Sequence, residues 1–258
     1  MKTGSKQDKI SAPFEAENGF RTTNFCIFIR LIILPPFFLF MQAPQLFNIR
    51  DQHFWLSHHR CVYWEEQKAL IIADSHFGKT GHFRKSGIGV PQSVFREDMH
   101  RLVHQIQFFN ASTLIVVGDM FHSEANKELD FFIRWRQDQP ELRVKLVVGN
   151  HDILQDAWYL DAGIEILRGI WEWEGICFVH DYDPLLTKDD RFYFSGHIHP
   201  GIRISGAARQ SLSFPCFYFT PQFAVLPAFG KFTGFVNVYP KEGEMVFAIV
   251  NNKLLSLS

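Results

Sequence analysis

From Leu46 onwards the chain is a succession of short apolar runs separated by polar breaks. FNIRD, HFWL and CVYW are aromatic-rich pieces of strand length, which predicts edge strands or a meander. ALIIA, ending at Ala73, and TLIVV, ending at Val117, carry almost no polar side chains, as strands do when both faces of a sheet are covered. RVKLVV, ending at Val148, reads as a third strand of the same kind. Between the first two, Val94, Leu102, Val103, Ile106 and Phe109 fall on one helical face, with Pro91 suited to the first helical position. Leu129, Phe132, Ile133 and Arg136 repeat the helical spacing before Pro140. Strand, helix, strand, helix, strand predicts an α/β layout around a mainly parallel sheet. After about residue 164 the helical period disappears, and IEIL, ICFV, RFYFS, GIRI, CFYF, FAVLP, GFVNVY and MVFAIV predict a second, mostly antiparallel sheet. There is no internal repeat and no linker, so the expected fold is a two-sheet sandwich flanked by helices.

The first 40 residues do not share this pattern. Residues 1–24 are polar without period, which predicts disorder, and an apolar run follows from Cys26 to Met41. That run contains Arg30, is broken by Pro35-Pro36, and falls short of the roughly 20 residues a membrane span takes. A disordered or non-native extension ahead of Met41, an export or membrane signal, and a packed element all remain open. The expected division is an extension over 1–40 and a single domain over 41–258.

Composition narrows the class. With 47% hydrophobic residues and 28 phenylalanines in 258 positions, the chain holds ample material for a core. The net charge of -1 gives no whole-protein field, so contact with nucleic acid has to come from a local patch. Cys26, Cys61, Cys177 and Cys216 are scattered and form no C-x-x-C pair. That argues against a structural zinc site and a disulfide framework, and for a reducing compartment, the cytoplasm.

Chemistry enters at the strand ends. Asp74-Ser75-His76, Gly118-Asp119, Gly149-Asn150-His151-Asp152, His180-Asp181 and Gly196-His197-Ile198-His199 each follow a strand-like run. Carboxylate, amide oxygen and imidazole suit hard or borderline divalent ions. Asp74, His76, Asp119, Asn150, His180, His197 and His199 exceed what one ion usually takes but suit two ions sharing a carboxylate. In D-x-H and H-x-H an extended segment would turn both side chains to one centre.

The order D-x-H, G-D, G-N-H-D, H, G-H-x-H resembles the calcineurin-like metallophosphoesterases, over roughly Asp74 to His199. The runs ADSHFGKTGHFRKSGIGVP, VVGDMFHS, VVGNHD, SGHIHPGIR, FPCFYF and VLPAFGKFTG resemble more closely the bacterial ligase-associated DNA-damage-response endonucleases of the PdeM type. This likeness implies a four-layer α-β-β-α fold. It implies that Asp74, His76 and His199 hold one ion, that Asn150, His180 and His197 hold the other, and that Asp119 bridges. It makes His151 the catalytic acid with Asp152 as its orienting partner. His122 of the F-H pair joins catalysis by analogy with the nuclease subunit of double-strand-break repair complexes, and Asp181 is a candidate to orient His180.

The implied reaction is phosphodiester hydrolysis in DNA by a metal-bound hydroxide. Manganese is the family's usual ion, with iron or zinc as the other candidates. A DNA ligase and a helicase are the implied functional neighbours in repair, and no stable membrane partner is expected. The alternative is a phosphohydrolase of small nucleotides or phosphomonoesters. A scaffold that has lost catalysis is disfavoured by the presence of His151. Two stretches lack acids, Gly78–Lys85 with Lys79, Arg84 and Lys85, and residues 200–241 with Arg203, Arg209, Lys231 and Lys241. Both are candidates to receive a phosphate backbone. Phe217, Tyr218 and Phe219 are candidates for base stacking, with strand core as the competing reading.

Overall fold

The computed structural model describes residues 42–79, 93–122, 127–183, 190–206 and 210–257. The expected extension, the Pro91 helix start, and His82, Arg84, Lys85 and Arg209 lie outside them.

Aromatic and β-branched runs broken by turns pair with their neighbours first. β1 (Gln45–Ile49), β2 (Gln52–Ser57) and β3 (Cys61–Trp64) form an antiparallel meander that joins β4 (Ala69–Ala73). From there β4, β5 (Thr113–Val117), β6 (Arg143–Val147) and β7 (Ile164–Leu167) run parallel in sequence order. Every residue of β4 and β5 is buried, as their apolar composition requires. Alternation then splits them between two cores. Leu70, Ile72, Leu114 and Val116 face the helices, whereas Ile71, Ala73, Ile115 and Val117 face the second sheet.

Among the described residues the helices are α1 (Ser93–Phe109), α2 (Lys127–Gln137) and α3 (Asp156–Asp161). α1 buries Phe95, Met99, Leu102 and Ile106, and α2 buries Leu129 and Phe132. All three helices pack on the first sheet. α3, with Tyr159 as its buried anchor, was not foreseen, since six residues are too few to display a helical period.

The second sheet contains β8 (Trp171–Trp173), β9 (Ile176–Phe178), β10 (Phe192–Ser195), β11 (Pro200–Ser205), β12 (Ser211–Phe219), β13 (Phe223–Val225), β14 (Val236–Asn237), β15 (Met245–Val250) and β16 (Lys253–Leu257). Its order is β14-β11-β12-β13-β10-β9-β8, with β15 paired to β12 and β16 to β15. Antiparallel pairing dominates, but β9, β10 and β13 at its middle are parallel. Residues 179–191 supply the length a crossover between β9 and β10 requires. The consequence is functional: β9 and β10 both end at the edge where β4, β5 and β6 end.

Phe54, Trp64, Phe178, Phe194, Phe217, Phe219 and Phe247 fill the space between the sheets. A fully buried phenylalanine contributes about 1.5–3 kcal/mol, so this layer is a main source of stability. Phe217 and Phe219 are therefore core, and the Tyr218 hydroxyl donates to Glu244 at 2.6 Å. Cys61, Cys177 and Cys216 are buried free thiols, and burial pushes Cys61 and Cys216 up to about 12, which leaves them unreactive. Among the described residues, no helix is long and apolar enough to cross a membrane.

Candidate metal centre

Each of the five motifs sits just past a strand end. Asp74 follows β4, Gly118 follows β5, and Gly149 lies one residue beyond Val148 after β6; His180 follows β9 by one residue and Gly196 follows β10 directly. Backbone bonds knit these loops together. Asp74 N–H donates to the Gly118 carbonyl at 3.1 Å, His76 N–H to Asp119 at 2.9 Å, and Gly196 N–H to His180 at 3.0 Å.

The ligand segments are not extended, contrary to the D-x-H and H-x-H expectation. Asp74, His76, Asp119, His197 and His199 all take positive φ, between 46° and 66°. The strands end and the chain turns sharply at each ligand. A non-glycine residue in this region costs about 1–3 kcal/mol, and such strain concentrates at functional sites.

The side chains converge in two subgroups. His76 Nε2 and His199 Nε2 stand 3.4 Å apart, and Asp74 Oδ1 is 3.5 Å from His199 Nε2. His180 Nε2 and His197 Nδ1 stand 3.2 Å apart. Asp119 reaches both subgroups, with Oδ2 at 3.9 Å from His76 Nε2 and Oδ1 at 3.5 Å from His180 Nε2. The ligand atoms of Asp74, His76 and His199, and those of Asp74, Asp119 and His180, lie within 4.8 Å of one another. Asn150 is exposed at the turn after β6.

These residues fit divalent ions on three observations. Asp74 and Asp119 are 0% and 2% exposed, and among the described residues no Lys or Arg pairs with either. Burial raises the Asp74 pKa, and the facing His199 and His180 offset that only in part. His76 Nδ1 is buried without a hydrogen-bond partner. Burial, reinforced by Lys79 and neighbouring histidines, pushes His76 down to about 2, so its imidazole is neutral, the form that ligates.

Two glycines make the convergence possible. A Cβ at Gly118 would stand 1.8 Å from His180 Nδ1, and one at Gly196 would stand 2.5 Å from Asp74 Oδ2. Each of these two glycines opens its motif and clears space for a ligand from another motif.

His151 and His122 come next to the first subgroup. Their ring centroids are 4.7 Å apart, and each lies near the His76 ring, at 5.5 and 5.3 Å respectively. The His151 backbone N–H donates to Asp119 Oδ1 at 2.8 Å, while the residue itself is exposed.

Two orienting roles are corrected. Asp152 does not hold the His151 ring, because its carboxylate accepts the N–H groups of Met120, Phe121 and Gly149 at 2.9, 3.2 and 2.8 Å. It pins the second motif loop to the third. Burial still raises its pKa, to about 7, against the pull of those three donors. Asp181 does not hold His180, whose Nδ1 faces the Val117 carbonyl at 3.4 Å; Asp181 Oδ2 instead stands 3.8 Å from His197 Nε2.

Of the basic candidates, Lys79 is half-buried and shares a cleft with His76, Phe95 and Phe232. Lys231 meets acid from α1 after all, with Nζ at 3.6 Å from Glu97 and its N–H donating to Asp98. Arg203 donates to Ser211 Oγ. Phe232 and Phe235 were missed in the sequence. They are 45% and 40% exposed beside the ligand loops, and the one signal for them is that Lys231-Phe232-Thr233 is flanked by Gly230 and Gly234.

No protein-family model and no curated protein sequence matches the chain. Among solved structures, nuclease MPE of Pseudomonas putida is similar with a TM-score of 0.70 at 26% identity, over 83% of this chain and 100% of that one. Yfce, a phosphoesterase from E. coli, aligns at a TM-score of 0.37 and 10% identity over 73% of this chain and 97% of that one. A conserved uncharacterized protein of Streptococcus pneumoniae, described as a predicted phosphoesterase, aligns at a TM-score of 0.29 and 13% identity over 73% of this chain and 86% of that one. The fold matches a metallophosphoesterase-like nuclease fold, and fold and site together support a metal-dependent phosphoester hydrolase. Within that class the full-length likeness is to the Pseudomonas putida nuclease.

Proposed function

We propose that the protein is a two-metal phosphodiesterase that hydrolyses nucleic-acid phosphodiester bonds, a DNA endonuclease acting in repair. The observation that carries this reading is the likeness to nuclease MPE over all of that chain, joined to the convergence of the ligand side chains.

Asp74, His76 and His199 would hold one ion and Asn150, His180 and His197 the other, with Asp119, which reaches both subgroups, shared between them. Two divalent ions held there supply charge stabilisation to the attacking and leaving oxygens and lower the pKa of water. Manganese is the ion the family resemblance implies, and the same nitrogen and oxygen donors also suit iron or zinc.

The remaining roles belong to the chain itself. His151 is exposed and held by its own backbone against Asp119, so its imidazole is free to deliver a proton to the leaving oxygen. His122, 4.7 Å away ring to ring, orients that histidine or the phosphate. Burial lowers the Lys79 pKa, and the charges of Asp119 and Asp74 offset that only in part; where protonated, the side chain faces the phosphate as a point charge. A DNA ligase and a helicase are the functional neighbours this role implies.

The test is hydrolysis of single-stranded DNA and of small nucleotides with manganese. Cleavage of the DNA is expected. Hydrolysis of the nucleotides alone would replace the nuclease reading with a small-substrate phosphohydrolase.

A further inference from the structure

The loop from Gly230 to Val236 is anchored to both sides of the first ligand set. Gly230 N–H donates to the Asp74 carbonyl at 3.2 Å, and Val236 N–H donates to the His199 carbonyl at 3.0 Å. Gly230 is pressed against Ser75, where a Cβ would stand 2.6 Å from the carbonyl oxygen. Between these anchors the loop exposes two aromatic rings, Phe232 at 45% and Phe235 at 40%.

The two rings lie beside different ligand loops. Phe232 lines the cleft that also contains His76 and Lys79, together with the acids Asp98 and Glu128. Phe235 lies against Gly201, two residues beyond His199, with its Cδ2 2.3 Å from where a Cβ would be. The absent side chain at Gly201 therefore gives the ring a backbone seat on one side, while the rest of it faces solvent. Ile198, between two ligand histidines, adds a further exposed apolar side chain at 38%. Single exposed apolar residues need no explanation, but two rings on one loop, tied to both ligand loops, form a built surface.

We propose that Phe232 and Phe235 are base-stacking subsites, each holding a nucleobase of the nucleotides that flank the scissile phosphate in a single strand; this rests on the nuclease reading above. A phosphodiester bound at the metals must direct its two nucleosides to either side of them. Unpaired bases offer π-faces, and a phenylalanine face accepts any of them without demanding a hydrogen bond. Lys79, in the cleft with Phe232, supplies the cation that a backbone phosphate requires.

The experiment compares single-stranded oligodeoxynucleotides that carry either a base or an abasic spacer on each side of the cleaved bond. Single-turnover rates with manganese are paired with the quenching of 2-aminopurine placed at the same positions. The wild type should cleave the base-containing strand roughly tenfold faster per flanking base, and should quench 2-aminopurine. Phe232→Ala and Phe235→Ala should each erase the preference on one side, and Phe235→Trp should keep it. Equal cleavage of base and abasic strands by the wild type would overturn the stacking subsites while leaving the nuclease intact. Hydrolysis of bis(p-nitrophenyl) phosphate, with neither cleavage nor quenching of any oligonucleotide, would overturn the nuclease reading and the subsites together.

Discussion

His180 lies so close over Gly118 that a Cβ there would stand 1.8 Å from the ring nitrogen Nδ1. Gly118 also sits at a φ of +77°, where a side chain is strained even in open space. Gly118→Ala therefore has to displace His180 from the Val117 carbonyl and from Asp119. Calorimetric titration with manganese should show the second ion bound roughly 10–100-fold more weakly, the cost typical of a disturbed ligand support. Wild-type affinity for both ions would mean that His180 is not a ligand.

His151 makes a different prediction because only its backbone is committed to the centre. His151→Ala should lower kcat by roughly 10²–10⁴-fold, the range for a lost general acid, with both ions retained. Loss of metal together with activity would assign this residue to ligation.

Arg101 and Asp98 form a buried pair at 2.8 Å, with side chains 7% and 6% exposed. The Arg101 guanidinium lies 4.2 Å from the centroid of the Phe229 ring and donates to the Phe229 carbonyl, while Arg60 donates to Ala228 and Gly230 at 3.2 Å each. Together they clamp the loop that packs under Ser75. Arg101→Ala leaves Asp98 buried without its partner, which costs about 3–5 kcal/mol. For a domain of this size that lowers Tm by roughly 10 °C. The pair Arg101→Met with Asp98→Asn should recover much of the loss; a single variant with unchanged Tm would contradict the clamp.

Acid stability follows from His59. Burial, together with the charges of His58, Arg101, His104 and Lys231, pushes its pKa down from 6.5 to about 3. The unfolded chain takes up a proton near 6.5 that the folded chain refuses until about 3, so the stability is complete above that window and is lost as pH falls through it. Urea midpoints at about pH 7.5 and 5, measured with chelator present, should fall more for the wild type than for His59→Gln. Equal falls would show that His59 titrates normally in the fold.

The catalytic edge was legible in the sequence because strand-end position and ligand chemistry reinforce each other. Asp74, His76, Asp119, His180, His197 and His199 all lie where apolar runs stop, and each is drawn into a cluster of ligand atoms. The partners of the carboxylates were not legible. Asp152 and Asp181 sit next to histidines in sequence but bond elsewhere, because a side chain one position along a sharp turn points away from its neighbour. The short helix Asp156–Asp161 and the parallel middle of the second sheet escaped for a related reason. Both are set by tertiary contacts and crossover length rather than by local periodicity. Phe217 and Phe219 are buried in strand β12 whereas Phe232 and Phe235 are exposed on a loop, a difference that alternation within β12 hints at and the loop sequence does not.

The central claim is a dinuclear centre in which Asp119 gives one oxygen to each ion. Elemental analysis of the protein loaded with manganese and freed of excess metal measures it most directly, with Asp119→Asn run in parallel. The expected content is about two ions per wild-type chain, and fewer than two in the variant, where the shared charge is lost. A wild-type protein that retains one ion or none would contradict the account.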